Sequence, residues 1–391
     1  MSTTCQIIMI AKPDYAGKSI VNLCSSILSA CGVSSPYNPL ESDTLDSLPE
    51  YDNIVLLIID GLGYDYLQRK GPTTLLAKSI KTSMTSVFPP STGSAITSYF
   101  TGVAPQQHTF TGWFVYLNEF GLVSRILPFT NCIDWNVLGS SLDVVIGASP
   151  LFHKIKYEHH VILGENIVDS VYSRFMSGAA HRDGYNNLDN FFDLIDNAIN
   201  FSEKKKYIHA YWPEFDEISH MLGSGSDEAL QHLHQFDEKL SRFVEQIEDT
   251  NTKLIVTSDH GFNDVPQEHL IHISDHPELS ECLILPICGD TRTGFCYVRP
   301  KMIDHFERYV SKQLENTCEL KSSESLVDDG WFGLFEPHPK LASRVGDYTL
   351  LMNDGYAILN HFSGFQPPHL LGHHGGITEA EMLIPLITLD C

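Results

Sequence analysis

The chain has 391 residues, of which 42% are hydrophobic and 19% charged, and a formal net charge of −24. That length holds one large α/β domain with insertions or two ordinary domains. The charge excludes a binder of nucleic-acid polymers, which a polyanion repels at long range. No apolar run approaches the ~20 residues of a bilayer span.

In chain order, Cys5 to Ile10 is predicted as a short strand and Ser19 to Leu28 as an amphipathic helix. Ala16-Gly17-Lys18-Ser19 imitates a phosphate-binding loop, but Lys12 stands where its first glycine is needed, so an ATP site is rejected. Asn53 to Ile59 is the strongest strand signal, a continuous apolar run typical of a buried parallel strand, and the chain turns at Asp60-Gly61. Pro89-Pro90-Ser91 precedes a helical stretch from Thr92 to Phe100. Tyr207 to Tyr211 is a strand, Ser226 to Ile247 an amphipathic helix, and Lys253 to Thr257 a strand ending in Ser258-Asp259-His260-Gly261. This alternation predicts an α/β fold, a mostly parallel sheet with helices on both faces. Two turn-rich segments, 113–201 and 273–360, are expected to be inserted cap or lid segments. They leave 1–112, 202–272 and 361–391 as the catalytic core.

The N-terminus lacks the basic start and apolar stretch of a secretory signal. The nine cysteines are an odd number without a Cys-x-x-Cys pair, in a chain too large to depend on disulfides. Both observations lead to the expectation of a reducing cytoplasm. In so acidic a chain, a small anionic substrate needs local help, and bound cations are the obvious source.

Polar groups stand just past the predicted strand ends, where open α/β sheets place ligands. Asp60 follows the first strong strand, Asp216 and His220 follow the second, and Asp259 and His260 follow the third. Gly372-His373-His374-Gly375-Gly376 lies shortly before the apolar stretch Met382 to Leu389. Asp oxygens and His nitrogens are the donors zinc takes from sites without thiolates. Singly, each has a bland reading as a turn, a cap or a surface pair; their order at successive strand ends is what points to a site. Thr92 is the candidate nucleophile, because the free N–H groups of a helix start stabilise phosphoryl oxyanions. With no His-based triad in evidence, a metal is its expected activator. His159-His160, His232/His234 and His269/His272 are read as surface or satisfied histidines. Trp212, Trp331 and Phe335 are weighed as pocket-lining aromatics but are core residues by default.

The set Ile59-Asp60-Gly61, Phe88-Pro89-Pro90-Ser91-Thr92, Asp216 to His220, Ser258-Asp259-His260-Gly261 and His374-Gly375 resembles the alkaline phosphatase superfamily. Within it, the chain is most similar to the type I phosphodiesterase/nucleotide pyrophosphatase branch, which includes phosphonoacetate hydrolase. The resemblance implies one ion held by Asp60, Thr92, Asp259 and His260 and a second held by Asp216, His220 and His374. It prefers His374 to His373 because the family ligand directly precedes a glycine. It also implies Thr92 over Ser91 or Ser94, since Thr101-Gly102 and His108 stand at the family offsets from Thr92. Where many members carry a phosphate-binding Asn, twenty-one residues past the nucleophile, this chain has Trp113.

The expected activity is a hydrolase of phosphodiester, nucleotide pyrophosphate or related phosphate or phosphonate bonds, working through a phospho-threonine. Two Zn²⁺ are the expected ions, with Mn²⁺ as a substitute, and a small anionic ester is the expected partner. Monoesterase, phosphonate hydrolase and phosphomutase are rival chemistries of the same site. A metal-bound protein without catalysis is a rival of another class.

Overall fold

In the computed structural model, which describes residues 10–139, 141–360 and 369–391, the apolar run at Asn53 forms β1 (Asn53–Ile59), buried at every position. Its side chains alternate between two cores: Ile54, Leu56 and Ile58 pack on one face, Val55, Leu57 and Ile59 on the other. A strand with both faces covered has no use for polar alternation, which is why this one reads as a continuous apolar run.

Around β1 stand β2 (Ile80–Thr85), β6 (Glu158–Gly164), β7 (His181–Tyr185), β8 (Lys206–Trp212), β9 (Thr252–Thr257) and β18 (Leu383–Asp390), in the spatial order β2-β18-β9-β1-β8-β6-β7. The run β9-β1-β8-β6-β7 is parallel. The C-terminal β18 joins antiparallel between β9 and β2. Helices Ile20–Ala30 and Thr92–Thr101 cover one face, and Leu188–Ile199 and Asp227–Gln246 the other. The predicted α/β fold is therefore present, with mixed pairing at one edge.

A second sheet follows the order β14-β15-β13-β12-β3-β4-β5. It takes β3 (Phe114–Leu117), β4 (Leu122–Arg125) and β5 (Thr130–Asn131) from one part of the chain. From another come β12 (Cys288–Gly289), β13 (Thr293–Cys296), β14 (Cys318–Ser322) and β15 (Tyr348–Met352). The parts meet at one register pair, Gly289 with Phe114. Two short pairs complete the strands: β10 (Asn263–Asp264) with β17 (Gly372–His373), and β11 (Leu270–His272) with β16 (Ala357–Leu359).

The expected cap boundaries change accordingly. Of segment 113–201, the part from Glu158 onward belongs to the main sheet as β6, β7 and their helix, because β6 pairs directly with β8. The strand expected over Cys5 to Ile10 lies outside the described residues except for Ile10, which bridges to Thr378.

Candidate metal centre

Three strand ends deliver carboxylates to one place. Asp60 directly follows β1 and is buried, and Gly61 turns the chain at φ +76°, where a Cβ would meet the Phe262 ring at 2.4 Å. The Tyr211 hydroxyl, near the end of β8, donates to Asp60 Oδ2. β8 runs into the helix Glu214–Leu222, whose i,i+4 spacing puts Asp216 and His220 on one face with Oδ1 and Nε2 3.5 Å apart. His220 Nδ1 donates to the Gly372 carbonyl at 2.8 Å, leaving the Nε2 lone pair free. After β9, Asp259 Oδ1 accepts from the backbone N–H groups of His260 (3.0 Å) and Gly61 (3.1 Å). His260 Nδ1 donates to the Gly261 carbonyl at 3.2 Å. Its Nε2 lies 3.1 Å from Thr92 Oγ1, 3.3 Å from Asp60 Oδ1 and 3.4 Å from Asp259 Oδ2.

Thr92 is the first residue of a helix buried along its whole length. The neighbouring hydroxyls are engaged elsewhere: Ser91 Oγ donates to Asp290 Oδ1 at 2.9 Å, and Ser94 Oγ to the Ser91 carbonyl at 3.0 Å. His108 is structural, donating from Nε2 to Ser98 Oγ (3.0 Å) and accepting at Nδ1 from the Phe110 N–H (3.1 Å). Burial pushes its pKa down to about 3 and keeps it neutral.

The β10–β17 pair carries His374 into the site. Its ring stacks on His260 at 3.8 Å and tilts against His220 at 5.0 Å. His373 sits with Nδ1 2.9 Å from Thr291 Oγ1. Two sets result, Asp60-Asp259-His260 and Asp216-His220-His374, each with its ligand atoms within 4.8 Å of one another. With Thr92 against the first, the structure gathers all seven residues singled out in the sequence.

The donor atoms fit cations. Asp60 Oδ1, Asp216 Oδ1, Asp259 Oδ2 and His374 Nδ1 are buried without a hydrogen-bond partner. Burial, then repulsion from Asp259 and Asp216, raises the Asp60 pKa, and burial raises that of Asp216. Burial, then His260 and His220, lowers that of His374. A converging set of unpaired acceptors is costly to bury, and divalent cations offset that cost with the oxygen and nitrogen ligands zinc accepts.

A cavity of about 290 Å³ opens beside Thr92, Asp216, His220 and His374. Trp113, Phe114, Ile358 and Leu359 line it, with Asp290 as a buried carboxyl. The aromatics weighed from sequence lie elsewhere. Trp212 donates to His232 Nε2 at 3.0 Å within the core, Trp331 packs on Phe88, and Phe335 packs on Tyr37. His160 is buried in the sheet, and His269 stacks on Tyr356. Tyr211, whose hydroxyl holds Asp60, sits inside an apolar strand and carries no signal of its own in the sequence.

The chain matches the family described as Type I phosphodiesterase / nucleotide pyrophosphatase over residues 54–126 and 130–377. Human ectonucleotide pyrophosphatase/phosphodiesterase family member 5 is 24% identical over 200 residues, which are 49% of this chain and 39% of that protein. The solved murine ectonucleotide pyrophosphatase / phosphodiesterase 5 superposes with a TM-score of 0.65 at 18% identity, over 85% of this chain and 87% of that one. A second structure of the murine protein holds an inactive variant in complex with AMP, with the same TM-score. Phosphonoacetate hydrolase from Sinorhizobium meliloti 1021, in complex with phosphonoformate, superposes with a TM-score of 0.59 at 16% identity, over 85% of this chain and 89% of that one.

Proposed function

This chain belongs to the type I phosphodiesterase/nucleotide pyrophosphatase family, and on that premise we propose that it hydrolyses phosphate esters at a two-metal centre through a phospho-threonine on Thr92. The observation that carries the reading is the meeting of Thr92 Oγ1 with His260 Nε2 at 3.1 Å, at a helix start, beside two converging sets of unpaired donors. Asp60, Asp259, His260 and Thr92 would hold one divalent cation, and Asp216, His220 and His374 the other; zinc suits these donors. Bound there, the cations would lower the pKa of the Thr92 hydroxyl and neutralise charge on the phosphoryl oxygens.

The chain's own residues then have definite tasks. The Thr92 oxygen forms the bond to phosphorus in line with the departing ester oxygen, whose bond breaks as the alcohol leaves. Free N–H groups at the start of the helix Thr92–Thr101 stabilise the phosphoryl oxygens. Tyr211 fixes the orientation of Asp60, and the Gly372 carbonyl fixes that of His220. A water then forms the new bond to phosphorus from the vacated side and Thr92 is released. The substrate supported by this arrangement is a small phosphodiester, nucleotide pyrophosphate or related ester.

The test is chelation followed by reconstitution. Activity on a chromogenic phosphodiester should disappear after dialysis against chelator and return with Zn²⁺. Acid quenching during turnover should trap on Thr92 a phosphoryl group that still carries the second alcohol of the diester. Full activity in protein shown to be metal-free would refute the proposal.

A further inference from the structure

Past β17 the backbone that carries His374 has no ladder to rest on. Among the described residues, His374, Gly375 and Gly376 take part in none of the backbone-to-backbone hydrogen bonds, yet all three are buried, and buried peptide groups need partners. Side chains supply them. Thr293 Oγ1 donates to the Gly375 carbonyl at 2.6 Å, and the Gly376 N–H donates to Glu381 Oε1 at 2.8 Å. Glu381, in the helix Glu379–Met382, is itself gripped by Arg292 through two parallel bonds, Nε to Oε1 at 2.9 Å and Nη2 to Oε2 at 2.8 Å, and by the Thr378 hydroxyl at 2.7 Å. Arg292 Nη1 donates to the carbonyls of Asn353 and Tyr356. Neither charged side chain reaches solvent. The approach needs glycine, because a Cβ on Gly376 would lie 2.7 Å from both Glu381 oxygens.

We propose that Glu381, held by Arg292, and Thr293 are positioning residues for the second ion: they set the backbone under His374 and with it the geometry of the Asp216-His220-His374 set. The inference rests on the two-metal reading and deepens it. A buried ion pair is a poor way to stabilise a fold, since apolar residues of like volume serve as well. A carboxylate that reaches a peptide N–H two residues from a metal ligand has a geometric task that apolar residues cannot perform. The Glu381 carbonyl also accepts from the Gly261 N–H at 2.8 Å, next to His260. That backbone bond survives substitution of the side chain, so a change at Glu381 should act on the second ion and spare the first.

Two double variants, both relieved of the buried charges, test it: Arg292→Met with Glu381→Gln, and Arg292→Met with Glu381→Leu. The first keeps an oxygen for the Gly376 N–H and the second does not, while both lose the ion pair alike. Metal content per chain is measured over a buffered series of free Zn²⁺, with urea denaturation of the same samples. Glu381→Gln should hold both ions near native affinity, and Glu381→Leu should bind one of them about 10–100-fold more weakly. Added to His374→Ala, which leaves the ion of Asp60, Asp259, His260 and Thr92, either pair should change that ion's affinity by less than about threefold. Equal zinc affinity in the two double variants overturns the inference, as does equal weakening of both ions, which a general loosening would give. Thr293→Val leaves the ion pair intact and should weaken the same ion by about tenfold. Native affinity in that variant overturns the inference too, and decides the matter alone if the double variants do not fold. A native chain that holds fewer than two ions refutes the two-metal reading itself, whereas two ions with equal double variants remove only the role of Glu381.

Discussion

Replacing His374 and His373 one at a time separates the metal set from the loop that carries it. His374 shares its set with Asp216 and His220 and stacks on His260; His373 faces Thr291. If three protein ligands share the ~10 kcal/mol at the lower end of zinc-site binding, each supplies about 3 kcal/mol. His374→Ala should then weaken one ion by about 100-fold or more while the ion of Asp60, Asp259, His260 and Thr92 stays. His373→Ala removes a buried side chain and one hydrogen bond, so its cost of about 2–3 kcal/mol should fall on stability, with metal affinity nearly unchanged. The assay is metal content per chain over a buffered series of free Zn²⁺, with urea denaturation of the same samples. Loss of an ion in His373→Ala with both retained in His374→Ala would refute the assignment. Retention of two ions by both variants would remove the C-terminal loop from the site altogether.

Thr92→Ala should abolish turnover, on the order of the ~10⁶-fold loss known for removed nucleophiles, while Thr92→Ser keeps part of the rate; steady-state kinetics beside metal content checks both. Tyr211→Phe strands Asp60 Oδ2 and should weaken the ion at Asp60 by about 10–100-fold, read from the same zinc titration. A pH prediction concerns His209, which packs 4.4 Å from Phe100 with neither ring nitrogen bonded. Burial pushes His209 and His108 each down to about 3. Below about pH 6.5 the unfolded chain takes up protons that the folded one refuses, so stability present above that pH is lost as pH falls, by up to ~1.4 kcal/mol per pH unit for each histidine. His209→Phe should flatten the slope between about pH 6.5 and 5 relative to the native chain; parallel curves in urea melts would show that His209 contributes nothing.

The metal-ligand candidates were legible because each stands next to a local signal. Asp60, Asp216, Asp259 and His260 follow apolar strands, and Thr92 follows a Pro-Pro-Ser helix start. What remained hidden depends on pairing across the chain. β6 is a short stretch opening with Glu158 and two histidines, and only its contact with β8 makes it part of the main sheet. The second sheet joins strands some 170 residues apart through Gly289 and Phe114, a pairing no local periodicity encodes. β18 was seen as an apolar stretch, yet its antiparallel place between β9 and β2 was not foreseen.

The two parts of the second sheet share one register pair, Gly289 with Phe114, yet side chains tie them more widely. Arg344 donates to the Tyr116 carbonyl and to both Glu119 oxygens, and the Tyr116 and Tyr297 rings meet edge to face at 5.4 Å. The junction that sets the Trp113 N–H against Asp290 Oδ1 therefore leans on an ion pair whose members do not line the cavity. Arg344 is fully buried, and removing its carboxylate partner would strand that charge. A substitution at Glu119 would thus reach the cavity wall through the sheet, without touching a single residue that lines it.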